Sequence, residues 1–231
     1  MTDQPTTLME STYRDLKARI IRLDMKPGFA FSENDIASSL GLSKTPVREA
    51  LARLQLEGWV SIVPRSGYFV APITLKDARD SLAVAVLLEA EVAGLAARLG
   101  ADVAPLTAID KRAATAARKR DVATFVRHRH EVVVGVAERS GNHRLRLVVD
   151  QIHDLVDRLT HVAASIVPAI ELDGFGPVLD AIDAADGEAA GSVARERAGS
   201  RQRAILDALL ASDAIMSANV TPRVGRASGG A

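Results

Sequence analysis

Three groups of residues in this sequence have the types and spacing to do chemistry. The first is the run Ser43-Lys44-Thr45-Pro46-Val47-Arg48, followed by Arg53. Over residues 43–53, Lys44, Arg48 and Arg53 stand against one acid, Glu49, although Lys+Arg and Asp+Glu are equal at 29 each in the whole chain. Arginine and lysine on an exposed helix can take phosphate oxygens or the O6/N7 edge of guanine. The second group is Arg129 and Arg197, two arginines set among apolar neighbours. At about 100° per residue, Val122, Phe125, Val126, Val132, Val133 and Val136 all lie within about 60° of Arg129. Arg197 shares a face with Ala190, Val193, Ala194 and Ala204. A guanidinium turned into a helical core needs a carboxylate or a bound anion, because a lone buried charge is too costly. Glu89, Glu91 and Asp186 are the internal candidates, and the residues leave both solutions open.

The third group is histidine. His128 and His130 point about 200° apart on a helix and cannot share one metal. Asp150, His153, Asp157 and His161 form a stripe with chelating side chains, but it lies opposite the apolar face drawn by Leu145, Val148, Ile152, Leu159 and Val162. It therefore reads as a solvated or subunit-contact face. His143, beside Gly141-Asn142, reads as a loop residue.

The absences narrow the function. The chain has no cysteine, so a disulfide framework, a thiolate metal site and a cysteine nucleophile are excluded. There is no glycine-rich phosphate loop, no serine in a nucleophile elbow and no paired-carboxylate motif. Neither an enzyme nor a cofactor is expected. The first ten residues lack the basic start and apolar core of a signal peptide. The longest helix-like apolar run, Leu82 to Leu88, stops far short of the ~20 residues that span a bilayer. The expectation is a cytoplasmic protein with no membrane partner.

The elements that must position these residues fall into two regions. Residues up to about 72 hold the one Trp, both Tyr and three of the five Phe. Tyr13, Leu16, Ile20 and Leu23 mark an amphipathic helix, which Pro27-Gly28 ends. Ser32 through Asp35 resembles a capping box before a short helix carrying Ile36, Ala37 and Leu40, closed by Gly41. Ser43 can cap a third helix, where Pro46 is tolerated in the first turn and Val47, Ala50, Leu51 and Leu54 face inward. Two β-prone runs, Val60–Val63 and Tyr68–Val70, flank the turn Pro64-Arg65-Ser66-Gly67. Short helices across a glycine turn, then a hairpin, make a winged helix-turn-helix. Its outward residues Lys44, Thr45, Arg48 and Arg53 suit DNA; a small structural module with a solvated basic face is the other reading. From about 75 to 211 the sequence is Ala/Val/Leu/Arg-rich with helical spacing throughout.

Read as strings, Ser32-Glu33-Asn34-Asp35-Ile36-Ala37, Leu40-Gly41-Leu42-Ser43-Lys44-Thr45-Pro46-Val47-Arg48-Glu49-Ala50-Leu51 and Arg65-Ser66-Gly67-Tyr68-Phe69-Val70 closely resemble the DNA-binding domain of GntR-family bacterial regulators. The family's usual Ser-Arg-Thr-Pro-Val-Arg is Ser-Lys-Thr-Pro-Val-Arg here, and lysine at 44 lacks the bidentate fork. The resemblance implies that Asn34, Ser43, Lys44, Thr45 and Arg48 face DNA, with Arg65 and Gly67 at the wing tip. The second region resembles, more diffusely, the helical effector domain of the FadR subfamily and its VanR-like branch of about six helices. Leu88-Glu89, Leu95-Ala96-Ala97-Arg98, Ser140-Gly141-Asn142 and Val178–Ile182 carry that likeness.

The fold expected is mainly α, a winged helix-turn-helix of three helices plus a β-hairpin followed by an all-α antiparallel bundle. The divisions are a flexible start (1–9), the DNA-binding domain (10–71), a linker (72–76), the effector-binding and dimerisation domain (77–211) and a disordered tail (212–231). Many relatives hold a metal in the second domain, and the resemblance puts Arg129, Val133, Phe175 and Arg197 at the ligand positions. Arginine and valine do not ligate such ions, so no metal is expected. The two arginines instead mark an effector pocket for a small organic anion. The resemblance implies a homodimeric repressor on a near-palindromic double-stranded operator. The alternative is a DNA-binding dimer whose second domain is purely structural or metal-responsive.

Overall fold

The computed structural model describes residues 7–63 and 67–212. Thr7 caps α1 (Leu8–Ile21) by accepting from the Glu10 amide, so Leu8 and Met9, placed in the flexible start by the sequence, are helical. Residues 1–6, like the tail from 213 onward, lie outside the described residues. α1 also stops before Pro27-Gly28: Arg22 is its C-cap and Leu23 takes a left-handed φ of 65°. Tyr13, Leu16 and Ile20 keep the buried stripe, while Leu23 leaves it and packs against apolar residues of the second domain.

After β1 (Ala30–Phe31) comes α2 (Glu33–Leu40), which carries the reciprocal capping box read from Ser32 and Asp35; Gly41, at φ 64°, closes it. α3 (Lys44–Leu56) starts after Ser43, whose side chain makes no capping bond. Its inner face, Val47, Ala50, Leu51 and Leu54, is completely buried. β2 (Val60–Val63) and β3 (Gly67–Val70) form the antiparallel hairpin with Ile62 opposite Tyr68. β1 adds to the free edge of β3, giving the order β1-β3-β2. That strand was not foreseen, because two residues carry no periodicity.

Six helices follow among the described residues: α4 (Leu75–Arg98), α5 (Ala104–Arg118), α6 (Val122–Arg139), α7 (His143–Ile166), α8 (Gly176–Asp183) and α9 (Gly187–Leu210). α4 is capped by Thr74 and begins at Leu75, two residues before the expected start of the second domain at 77. Its alanines and those of α9 explain the composition, because these two helices touch backbone to backbone. A Cβ on Gly94 would sit 3.0 Å from the Gly187 carbonyl, and one on Gly187 equally close to the Gly94 carbonyl. Val92, Val132, Val133, Val136, Phe175, Leu179 and Ile182 fill the core beside them. His143 is the first residue of α7, not a loop residue. α7 packs against α4, α6 and α9, and also meets α1 of the first domain.

Gly67 shows how backbone geometry dictates sequence in the wing. Its φ is 91°, and a Cβ there would stand 2.8 Å from the Phe31 carbonyl oxygen of β1. Both the left-handed conformation and the strand contact exclude a side chain. Gly67→Ala should destabilise the first domain by about 1–3 kcal/mol, measured by chemical denaturation; an unchanged midpoint would show that the wing yields at no cost.

Candidate nucleic-acid interface and buried charge cluster

Of the residues assigned to DNA contact, Asn34, Ser43, Lys44, Thr45 and Arg48 are exposed and Gly67 is half-buried. Asn34 lies on α2, Ser43 precedes α3, and Lys44, Thr45 and Arg48 occupy the start of α3. The Arg48 side chain is 66% exposed, yet it is not free: its Nη2 donates to Glu33 Oε2 at 3.0 Å and its Nε reaches both Glu33 oxygens at 3.2 Å. Tyr68 donates its hydroxyl to Glu33 Oε1 at 3.2 Å, so one carboxylate joins α2, α3 and β3. The hydrogen bond from Arg48 holds the Glu33 carboxyl below its ordinary value. Glu33 was not among the residues singled out, since nothing in its spacing distinguishes it from an ordinary first-turn acid.

Arg53 does not belong to that face. Its guanidinium lies 3.7 Å from the Tyr13 ring centre, with Nη1 2.7 Å from Glu10 and Nε 3.1 Å from Glu57. It fastens α3 to α1, which leaves Lys44 and Arg48 as the basic residues presented by the start of α3. Gly67 is placed at the start of β3, and Arg65 lies outside the described residues.

The second site is a cluster of charges inside the helical domain. Arg129 is 1% exposed, as its place on an apolar face predicts. Its Nη2 donates to Asp157 Oδ1, and the other Asp157 oxygen lies 2.6 Å from His130 Nδ1. His130 Nε2 in turn lies 3.0 Å from Asp150 Oδ1. On the far side, Glu89, 2% exposed, takes Arg197 Nη1 at 3.3 Å and both terminal nitrogens of Arg201. His153 Nε2 lies 3.1 Å from Glu89 Oε1, although poorly aligned for a hydrogen bond.

Two expectations need correction. Of the proposed internal partners, Glu89 is used, but Glu91 stands 4.0 Å from Arg98 on the exposed side and Asp186 caps α9. The carboxylate opposite Arg129 is instead Asp157, from the stripe read as solvated. Half of that stripe faces neither solvent nor another subunit: His153 and Asp157 are buried, while Val148 of the supposed inner face is 43% exposed. The physical reason is that α7 is surrounded on several sides, so its apolar arc is centred on Val149, Val156 and Ala163, and its polar residues are buried by other helices.

Val133 and Phe175 share the core cluster, and the Arg197 guanidinium lies 3.6 Å from the Phe175 ring centre. Asp110, overlooked in the sequence, accepts from the Phe175 amide at 2.7 Å and holds this turn in place. Arg197 further donates to the carbonyls of Gly174 at 2.5 Å and Asp173 at 2.8 Å. Arg129 contrasts with it, for its Nε and Nη1 have no partner. A cation entering here would meet the guanidiniums of Arg129 and Arg197, and among the described residues no group of three or more His, Asp or Glu is placed to hold a metal. The donor set does not suit one.

Electrostatics within the cluster follow its geometry. Burial works against ionised Glu89, but Arg201, His153 and Arg197 outweigh it and hold the carboxyl well below its usual range. Burial lowers the pKa of His153 despite Glu89 and favours the neutral ring. Burial and the neighbouring Arg201 bring Arg197 down to about 9. Burial also disfavours the charge on His130, yet bonds to Asp150 and Asp157 raise its pKa to about 10. On one side His130 and Asp157 line a groove of about 400 Å³ running between α1, α6 and α7, together with His161 and Asp154.

A capped second helix, an exposed basic third helix and a three-stranded wing define a DNA-binding module of the winged helix-turn-helix class. Residues 8–70 match the model described as bacterial regulatory proteins, gntR family, and residues 80–200 match the FCD domain. A regulator in an unstable DNA locus of Streptomyces ambofaciens is 44% identical over 61 residues, 26% of this chain and 26% of that one. An HTH-type transcriptional regulator from the TAR-I ttuE-ttuC' intergenic region of Agrobacterium vitis is 30% identical over 132 residues, covering 57% of this chain and 68% of its own. The solved structure of E. coli McbR/YncC has the same fold, with a TM-score of 0.74 at 23% identity over 87% of this chain and 97% of that one. The chain belongs to the GntR family of bacterial transcriptional regulators and carries an FCD domain. Among the described residues, no helix is long and apolar enough to cross a membrane.

The raised pKa of His130 makes a testable contribution to stability. The folded state holds this proton up to about pH 10, the unfolded chain only to its ordinary 6.5. The stabilisation is therefore complete below pH 6.5 and lost as pH rises toward 10. The stability difference between wild type and His130→Gln, followed by urea denaturation, should be largest at pH 6 and vanish by about pH 10. A difference independent of pH would assign His130 a packing role only.

Proposed function

We propose that this DNA-binding regulator acts in the cytoplasm as a homodimeric repressor on a near-palindromic operator, without catalysis, and that a small organic anion in its helical domain modulates operator binding. The observation that carries the ligand reading is the charge imbalance of the cluster. Three guanidiniums, Arg129, Arg197 and Arg201, face two buried carboxylates, Glu89 and Asp157, while His130 is matched by Asp150. Arg197 donates from all three nitrogens, so Arg129, with two idle ones, has donors to spare. A carboxylate takes two parallel bonds from a guanidinium and would neutralise the excess. The groove beside His130 and Asp157 offers an approach to the cluster. A ligand alters DNA affinity only by preferring one arrangement of the DNA-reading helices, and about 1–3 kcal/mol of coupling is typical.

A second reading, in which the helical domain is purely structural, is favoured by the ion pairs already made by Arg129 and Arg197. Operator binding separates the two. With a duplex selected by the protein from a random pool, Arg48→Ala should cost about 1–3 kcal/mol if the side chain reads a base. Affinity should fall steeply with salt. Unchanged affinity in a folded Arg48→Ala protein would remove that contact from the interface. With an organic acid found by thermal-shift screening, Arg129→Met should lose the ligand response yet keep ligand-free DNA binding. A wild-type response from this variant would leave Arg129 as an internal partner of Asp157 alone.

A further inference from the structure

Arg158, on α7 one turn beyond Asp154, is only 5% exposed. Its Nη2 donates to the Ala71 carbonyl at 2.7 Å, its guanidinium carbon lies 5.9 Å from the Trp59 ring centre, and its Nε has no partner. Among the described residues no carboxylate lies within ion-pairing distance of it. Burial alone lowers its pKa, to about 10, with no neighbouring charge offsetting it. Each guanidinium of the buried cluster, Arg129, Arg197 and Arg201, has at least one carboxylate; Arg158 has a carbonyl and an aromatic ring. An uncompensated buried charge is held at a cost unless an anion accompanies it.

Beside it lies a cavity of about 260 Å³, to whose lining Arg158 itself contributes. Ile73, Ala78, Leu155 and Leu159 supply apolar walls, Ser81 a hydroxyl, and Asp77 a carboxylate held by the Thr74 hydroxyl. The cavity sits at the joint between domains, since Ala71 and Ile73 belong to the segment leading from β3 into α4. It is separate from the cluster around Arg129 and Glu89, with which it shares no lining residue.

We propose that this cavity is a second anion site, taking a small monocarboxylate with an apolar body, its carboxylate on Arg158 and its chain along Ile73, Leu155 and Leu159. One guanidinium balances one charge, and Asp77 on the same wall opposes a second, which disfavours phosphate and dicarboxylates. The size, below that of most drug-sized sites, sets the limit at a short chain or a single ring. An occupant bridges α7 and the interdomain segment.

Trp59, the chain's one tryptophan, stands beside Arg158 and reports on the site. Titration of the full-length protein with hexanoate should change its fluorescence saturably, whereas hexanamide and inorganic phosphate at equal concentration should not. Arg158→Gln should weaken the titration at least tenfold. Ser81→Leu, which fills the cavity from α4 without touching Arg158, should abolish it. Arg129→Met should titrate like wild type, which keeps this site distinct from the ligand site proposed for the buried cluster. The proposal is overturned if wild type gives no saturable change, if hexanamide or phosphate titrates as well as hexanoate, or if Arg158→Gln or Ser81→Leu responds like wild type.

Discussion

Glu89 is the side chain on which the helical domain depends. It is a carboxylate almost completely removed from water, and that is tolerable only because Arg197 and Arg201 pair with it. The dependence is mutual, since neither arginine of α9 could enter the core without it. Removing one member of such a group leaves a buried charge unmatched, which costs far more than the intact group contributes. The arrangement therefore adds specificity more than stability. It fixes the rotation of α9 against α4, where the helices already approach backbone to backbone at Gly94 and Gly187. Arg197 carries that constraint onward by tying the loop carbonyls of Asp173 and Gly174 and stacking on Phe175.

α7 is the element through which the two domains meet. Its buried side supplies His153 and Asp157 to the charge cluster, while Asp154 lies 2.6 Å from Lys17 of α1 and Arg158 holds the Ala71 carbonyl. Lys17 also reaches Glu57 and the Tyr13 hydroxyl, and lies over both the Tyr13 and Trp59 rings. Burial disfavours its charge, but Asp154 and Tyr13 more than compensate and keep it cationic. A rotation of α7 by a fraction of a turn would thus be felt both at the cluster and at the base of the DNA-binding module. Packed interfaces of this kind tend to switch between discrete arrangements and not to deform smoothly.

The first domain was legible almost residue by residue because its signals are local. Capping at Ser32, the left-handed Gly41, Pro46 in a first turn and a glycine-ended hairpin each act within a few residues. Where the reading failed there, the cause was tertiary: Leu23 turns away to another core, β1 is too short to show a pattern, and Arg53 is drawn toward Tyr13 and Glu10. In the helical domain the burial of Arg129 was legible, since six apolar neighbours surround it on the wheel. The orientation of α7 was not. Apolar residues at Leu145, Ile152 and Leu159 compete with those at Val149, Val156 and Ala163, and the wheel cannot choose between neighbouring arcs when a helix is covered from several sides.

By itself the sequence determined the three helices and hairpin of the first domain, the order of the two domains, the basic third helix and the presence of charges within an apolar core, because periodicity, capping and composition act along the chain. Only the tertiary structure decided which charge meets which. The pairing of Arg129 with Asp157, of Arg197 and Arg201 with Glu89, and the lack, among the described residues, of an acid within ion-pairing distance of Arg158 depend on how α4, α6, α7 and α9 are rotated about one another. That rotation is set by packing between residues far apart in the chain, and no local pattern encodes it.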